Sequence, residues 1–349
     1  MMNNRSVAKV IREIISQAND QFLSVCSDLA STTYTSAIIP AGAMVEFESD
    51  KSVTFPSMFV RNYSYGLGYV RSGLGFFTWP EIEVAMTQGV KIKVLKGVIM
   101  HTKCDPKKPS EPYEYFHDFL KRKIELRKAY KCALKTGLAP DGSPMPKSAA
   151  TIFQLLIKEL TNSGYGKIAQ AVSIRNKREI NTNESNPLRE SKVSNCVVSA
   201  LVTGHVRAVL AALLDAIDQH NNANKSRKPI VVASATTDGI LIGIPTNGSF
   251  KASEFYDLAG ELKDQSAKLM FDLLGYSDLY KRFLTYPAAE KMLKARLALA
   301  DEESFLEIKA VCARVISIKT RGQAGYLEDG KCVMLARAGH RPPEETGDI

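Results

Sequence analysis

Lys158 and Asn162 stand four residues apart in the run Lys158-Glu159-Leu160-Thr161-Asn162-Ser163-Gly164-Tyr165-Gly166. On a helix that spacing is one turn along one face. Gly164, Tyr165 and Gly166 read as the helix end passing into a glycine turn. A cation, an amide and an aromatic ring would then point into one space. That grouping suits a nucleoside triphosphate: charge for the phosphates, a flat ring against a base pair, and glycine where the backbone must come close. Ahead of Lys158 the same helix carries Lys147, Thr151 and Gln154, so that polar residues recur at steps of four, three, four and four up to Asn162. Ile152, Leu155, Leu156 and Leu160 supply apolar surface elsewhere on it. A polar stripe is ordinarily a solvated face, but this one ends in Asn-Ser-x-Tyr-Gly, which solvation does not require. Lys147 and Lys158, three turns apart, could line a triphosphate path. Arg127 and Lys131, one turn apart on the preceding helix, could face it across a hairpin or belong to an ordinary basic surface.

Chemistry on a triphosphate needs carboxylates to clamp divalent metal and cations on the leaving phosphates. Asp28 and Asp238 each sit at the end of an apolar strand-like run, one over Phe22 to Leu29 and one beginning at Ile230. Two such strands side by side would bring both carboxylates to one pair of ions. A lone strand-end Asp is more often a turn or cap residue, so spacing alone does not pair them.

The elements that must hold these groups follow from periodicity. Residues 5–20 read as an amphipathic helix and 22–29 as a buried strand. The Gly-, Ser-, Tyr- and Phe-rich segment 51–77 reads as strands joined by turns. Thr78-Trp79-Pro80-Glu81 has capping-box spacing before a helix that Gly89 ends, and 90–100 alternates as a strand. A basic helix over 111–136 and a second over 147–162 flank the turn-rich connector 137–146, which makes a helical hairpin. A long helix covers 193–220 and a polar loop 221–228. Residues 230–243 form two strands with Asp238 at the turn between them. Helices fit 251–274 and 278–300, and 311–317 is strand-like.

Composition narrows the class. The 349 residues carry a net charge of +9 with 45% hydrophobic content, which fits a globular protein with an anionic partner such as nucleic acid. Six cysteines at irregular spacing, with no C-x-x-C pair, argue against a zinc site or a disulfide scaffold and fit a reduced, cytoplasmic setting. The five histidines are scattered. No apolar run is expected to span a bilayer, and no membrane partner is expected.

The pattern K-x-x-x-N-S-x-Y-G from Lys158 to Gly166 resembles motif B of the family B DNA polymerases. Asp28-Leu29-Ala30-Ser31-Thr32-Thr33-Tyr34-Thr35-Ser36 resembles motif A, and Thr236-Thr237-Asp238-Gly239 resembles motif C. Lys319-Thr320-Arg321-Gly322 resembles the family's lysine motif, and Thr203 to Arg207 its T-x-x-x-R stretch. The order is the family's, and the variants look most like the protein-primed branch and its primer-independent relatives on mobile elements. Motif A has one extra residue, which leaves Tyr34 and Thr33 as alternatives for one role. Motif C has Thr236 where an Asp is common.

The resemblance implies an α+β fold: a palm of antiparallel sheet flanked by helices, with an inserted helical-hairpin fingers subdomain. Residues 1–110 would be the first part of the palm, 111–166 the fingers, 167–304 the second part of the palm, and 305–349 the junction with a mostly absent thumb. Asp28 and Asp238 would hold two Mg²⁺ ions, with Mn²⁺ a substitute. Tyr34 would be the sugar-selecting gate. Lys147, Lys158 and Arg127 would bind the triphosphate, and Asn162, Tyr165 and Gly166 would shape the nascent base-pair pocket. Thr237, Lys319, Arg321 and Arg207 would contact primer or template. Expected partners are primer-template DNA, deoxynucleoside triphosphates, and a terminal protein or missing polymerase segments, in a bacterial cell hosting a phage- or plasmid-like element. The expected activity is template-directed DNA synthesis by a portion of a longer enzyme. The alternatives are a non-catalytic nucleic-acid-binding remnant, a split-polymerase subunit, and a primer-making polymerase.

Overall fold

The computed structural model describes residues 13–16, 22–27, 40–62, 66–100, 104–105, 108–112, 116–170, 176–178, 185–187, 190–236, 239–246, 248, 250–258, 260, 262–300, 304–319 and 322–337. Helices and antiparallel sheets are both present, as an α+β reading expects. Two compact units divide the chain: Met1–Lys51, Pro56–Ala208 and Glu290–Glu303 in the first, and Ser52–Phe55, Val209–Ala289 and Ser304–Ile349 in the second.

The first unit is built on a four-stranded antiparallel sheet. Its strands are β1 (Glu13–Ser16), β2 (Ala41–Glu48), β5 (Ser72–Thr78) and β6 (Lys91–Met100), in the order β1-β6-β2-β5. Strand alternation along β2 sends Ala43, Val45 and Phe47 into the core and leaves Met44, Glu46 and Glu48 exposed. A short helix α1 over 22–27 and helix α2 (Trp79–Thr87) cover the buried face with Phe22, Cys26, Trp79, Ile82 and Ala85. Each large side chain removed from water there contributes about 1.5–3 kcal/mol. The hairpin β3 (Phe59–Asn62) and β4 (Gly66–Tyr69) flanks β5.

Two expectations for the start of the chain are corrected. Within 5–20, residues 13–16 pair antiparallel with Met100 to Gly97 as a strand, not a helix. Residues 22–27 are helical, not a strand, because Phe22 and Cys26, four residues apart, share the buried face. Phe22 lies so close on Gly97 that a Cβ there would sit 2.1 Å from its ring.

Two short hairpins follow in the same unit, β7 (Cys104–Asp105) with β8 (Lys108–Pro112) and, later in the chain, β9 (Asn176–Arg178) with β10 (Ser185–Pro187). Between them run two long helices, α3 (His117–Thr136) and α4 (Lys147–Ile168), packed as the expected hairpin. Their connector is tied by Met145 N–H to Gly137 C=O at 2.8 Å and by Ala139 N–H to Ser143 C=O at 2.8 Å. Tyr130 stacks on Phe153 at 5.1 Å, and Ala133, Ala150 and Ile157 are buried.

Helix α5 (Cys196–Ala223) passes from the first unit into the second. It is long and apolar enough to cross a bilayer by length and composition, which corrects the expectation that no such run exists. Of that apolar window, 44% is buried inside the protein. Leu201, His205 and Ala208 are buried in the first unit, and Ala212, Asp215 and Ile217 in the second.

The second unit holds the hairpin β11 (Val231–Ala235) and β12 (Ile240–Gly243), and the antiparallel sheet β13 (Arg314–Lys319), β14 (Gly322–Tyr326) and β15 (Cys332–Arg337). The two helices expected over 251–274 and 278–300 are instead a 3₁₀ turn (Ala252–Phe255), α6 (Ala267–Leu273), α7 (Ser277–Leu284) and α8 (Pro287–Ala300). Gly275, at φ 77, separates α6 from α7, and Pro287 opens α8.

Candidate functional site

Helix α4 does not stop at Asn162. It runs through Gly164 and Gly166 to Ile168, so the expected glycine turn is replaced by a further turn and a half of helix. A Cβ on either glycine would meet nothing within 4 Å, so the helix continues there unobstructed. The consequence is geometric. At 100° per residue, Lys147, Lys158 and Tyr165 fall within about 20° of one azimuth, with Asn162 about 40° from Lys158. The stripe extends to about 27 Å along the helix at 1.5 Å per residue. Lys147, Lys158 and Asn162 are exposed and Tyr165 is half-buried. Gly166 lies about 100° off the stripe, so any part it plays comes from its bare backbone.

Arg127 is half-buried on α3, with its Nε enclosed and unbonded. The antiparallel register that stacks Tyr130 on Phe153 carries Arg127 toward the level of Leu156, half a turn before Lys158. Residues 117–168 hold ten Lys and Arg against four Asp and Glu, a net +6 of the chain's +9. The potential for an anion is therefore concentrated on this hairpin.

Asp28, Tyr34, Thr237, Asp238 and Arg321 lie outside the described residues. Their flanks are informative for Asp238. Asn221 brackets the start of its hairpin, donating from Nδ2 to Ile230 C=O and accepting Ile230 N–H at Oδ1, both at 2.9 Å. Beyond β11, Thr236 N–H donates to Gly239 C=O at 2.8 Å and Thr236 Oγ1 to the same oxygen at 3.1 Å. Thr236 and Gly239, the sequence neighbours of Thr237 and Asp238, are thus tied to each other. Lys319 ends β13 and pairs with Gly322 of β14. Carboxylates are hard oxygen ligands, and one or two of them with substrate phosphates suffice for Mg²⁺. The donor chemistry of Asp28 and Asp238 fits that ion. Among the described residues no group of three or more His, Cys, Asp or Glu could hold a metal.

Arg207 has a partner that sequence reasoning missed. Its Nε–H donates to Glu81 Oε1 at 2.7 Å, and its guanidinium lies over the Phe59 ring, 5.2 Å from the centroid. The other oxygen of Glu81 accepts Thr78 N–H at 2.9 Å and Thr78 Oγ1 at 2.7 Å, which completes the capping box of α2. Glu81 is 4% exposed and the Arg207 side chain 28%. Gly204 makes this approach possible, since a Cβ there would lie 2.1 Å from Thr78 Oγ1. The signal for Glu81 was present in Thr-x-x-Glu, but its second partner lies 126 residues away. Lys291 makes a second low-exposure ion pair on α2, 3.6 Å from Glu83. Burial pushes the Glu83 carboxyl up, and Lys291 opposes that shift.

No protein-family model matches the chain. Over 305 residues, 87% of its length, it is 28% identical to primer-independent DNA polymerase PolB from Escherichia coli, and it spans 28% of that protein. The likeness to family B DNA polymerases read from the motifs is borne out by this match. Two solved structures are also similar. One is Phi29 DNA polymerase complexed with primer-template DNA and incoming nucleotide substrates, at 12% identity and TM-score 0.41, covering 86% of this chain and 44% of that one. The other is the binary complex of Phi29 DNA polymerase with primer-template DNA, at 11% identity and TM-score 0.44, covering 95% and 46%.

Proposed function

We propose that this chain, similar over most of its length to a primer-independent family B DNA polymerase, carries out template-directed addition of deoxynucleotides. The observation that carries the reading is the stripe of Lys147, Lys158, Asn162 and Tyr165 along α4, on the most basic part of the chain and running into the stretch that resembles motif B. On this reading 111–166 is the fingers, 1–110 and 167–304 are the two parts of the palm, and 305–349 leads toward a thumb.

Lys158 and Lys147 bind the triphosphate and neutralise the charge that develops on the departing pyrophosphate. Arg127 adds positive potential from α3. Asn162 and Tyr165 form the wall against the nascent base pair, and Gly166 lets backbone approach it. Tyr34 blocks a 2′-hydroxyl. Asp28 and Asp238 would hold two Mg²⁺ ions, which when bound supply Lewis-acid activation of the 3′-hydroxyl and stabilisation of the leaving group. The 3′-oxygen attacks the α-phosphate in line, forming the new phosphodiester as the bond to pyrophosphate breaks. Thr237, Lys319 and Arg321 hold the primer strand. Arg207, clamped by Glu81, offers its remaining N–H groups to the duplex backbone. Partners are primer-template DNA and deoxynucleoside triphosphates, with a terminal protein or further polymerase segments completing the enzyme.

The test is Mg²⁺-dependent incorporation of labelled deoxynucleotide on primed and unprimed template. Incorporation by the wild type, and product without primer, would support the reading and its primer-independent form. Salt-sensitive DNA binding with no incorporation, even when further polymerase segments are supplied in trans, would contradict it and favour a nucleic-acid-binding remnant.

A further inference from the structure

The loop after α5 reads in sequence as merely polar, yet Lys225, Arg227 and Lys228 fall within four residues of one another. In the second unit Arg227 and Lys228 border a cavity of about 710 Å³, and Thr246, Phe250, Gly275 and Tyr276 also line it. The cavity lies at the end of the β11–β12 hairpin opposite the Thr236–Gly239 turn, about 13–17 Å away at 3.3 Å per strand residue. It is therefore separate from the contact of Thr236 with Gly239.

Three observations define what it would take. Arg227 and Lys228 are exposed and have no ion-pair partner among the described residues, and no carboxylate among those residues lines the cavity. Their field is felt nearby: the His220 imidazole is held below its ordinary range, first by burial and then by Arg227 and Arg282, against the pull of Asp278. The aromatic component is fixed on one side and open on the other. Tyr276 donates its hydroxyl to Pro245 C=O at 3.0 Å and packs against His220 at 5.3 Å between ring centroids. Phe250 is 37% exposed. Two unneutralised cations beside an open aromatic face match a phosphate with an adjoining unstacked base. The volume exceeds what an inorganic anion needs and lies within the ordinary range for organic ligands.

We propose that this cavity binds a phosphate and its neighbouring base from a single, unpaired nucleic-acid strand, away from the point of nucleotide addition. The proposal rests on the reading of the chain as a DNA polymerase. A strand is favoured over a free nucleotide because Lys225, exposed on the same loop and outside the cavity lining, offers a cation to a further phosphate. A duplex is disfavoured because its bases are not free to stack on Phe250.

The experiment is fluorescence anisotropy of a labelled single-stranded oligodeoxynucleotide with the full chain, across a range of salt. Arg227→Ala/Lys228→Ala should flatten the slope of log affinity against log salt by about 1.4, or about 0.7 per phosphate contact. Phe250→Ala should weaken binding about tenfold, within the range for one stacked base. Both should leave primed incorporation on a short template intact. Wild-type affinity and slope in both variants, with incorporation intact, would overturn the site and leave the polymerase reading standing. A wild type that neither binds strand nor extends primer would overturn both. Loss of deoxynucleoside monophosphate binding in Arg227→Ala/Lys228→Ala, with strand binding unchanged, would overturn the strand in favour of a free nucleotide.

Discussion

Arg207 of α5 and Glu81 of α2 meet at 2.7 Å across 126 residues of chain, and the same carboxylate caps its own helix through Thr78. One buried acid thus fixes both the start of α2 and the direction of a guanidinium on the helix ahead of the Asp238 hairpin. Removing one partner of a buried pair costs about 3–5 kcal/mol. Partial exposure of Arg207 puts Glu81→Ala near the low end, at about 3 kcal/mol. Gly204→Ala, whose Cβ would collide with Thr78, should cost about 1–3 kcal/mol by overpacking. Urea denaturation of both variants checks this, and wild-type stability in Glu81→Ala would remove the pair from any structural role.

The two glycines of α4 separate fold from function. Both sit in continuous helix with open space around them, so Gly164→Ala and Gly166→Ala should each stabilise the protein by up to about 1 kcal/mol. If Gly166 brings bare backbone to the base pair, its variant should be more stable and yet slower in incorporation. A Gly166→Ala variant with full activity would take Gly166 out of the site.

Lys158 is exposed and unbonded within the described fold, so Lys158→Ala should leave stability within about 0.5 kcal/mol of wild type. On the proposed role, kcat/KM for deoxynucleotide should fall about 100-fold, equivalent to about 2.7 kcal/mol of transition-state binding. Steady-state kinetics checks this. An equal loss in melting temperature and activity would instead mark a structural lysine.

Much of this was legible in sequence where local signals and tertiary packing agree. Thr78 to Glu81 announced α2, and Gly89, at φ 75, lies just beyond its end. The hairpin of α3 and α4 and the pairing of β11 with β12 followed from periodicity and turn residues. The misreadings have physical causes. Phe22 and Cys26 fit strand alternation and helical spacing equally, and contact with Gly97 decides for the helix. Gly164 and Gly166 look like a stop, but a helix tolerates glycine when nothing opposes its path. Glu81's link to Arg207 joins distant segments, which no local pattern encodes. For the candidate site, the stripe on α4 was readable from spacing, whereas Asp28 and Asp238 were paired through family resemblance alone.

Cys26 supplies a pH test of the first unit's core. Its thiol is pushed up to about 12, first by burial and second by the Glu83 charge. The fold therefore favours the protonated thiol, while the unfolded chain releases its proton near 9.0. Stability from this group is complete below pH 9 and lost as pH climbs toward 12, at no more than about 1.4 kcal/mol per pH unit. Urea unfolding between pH 9 and 11 should show a steeper decline in wild type than in Cys26→Ala, and equal slopes would refute the assignment. A thiol reagent at neutral pH should label exposed Cys132 and Cys332 long before Cys26.

The most direct test of the account is Mg²⁺-dependent deoxynucleotide incorporation by wild type and Asp238→Asn, run side by side with DNA binding. The account predicts incorporation by the wild type, a loss of at least about 1,000-fold in the variant, and unchanged affinity for primer-template. Equal incorporation by both proteins would contradict the central claim that Asp238, between β11 and β12 in sequence, serves the chemistry.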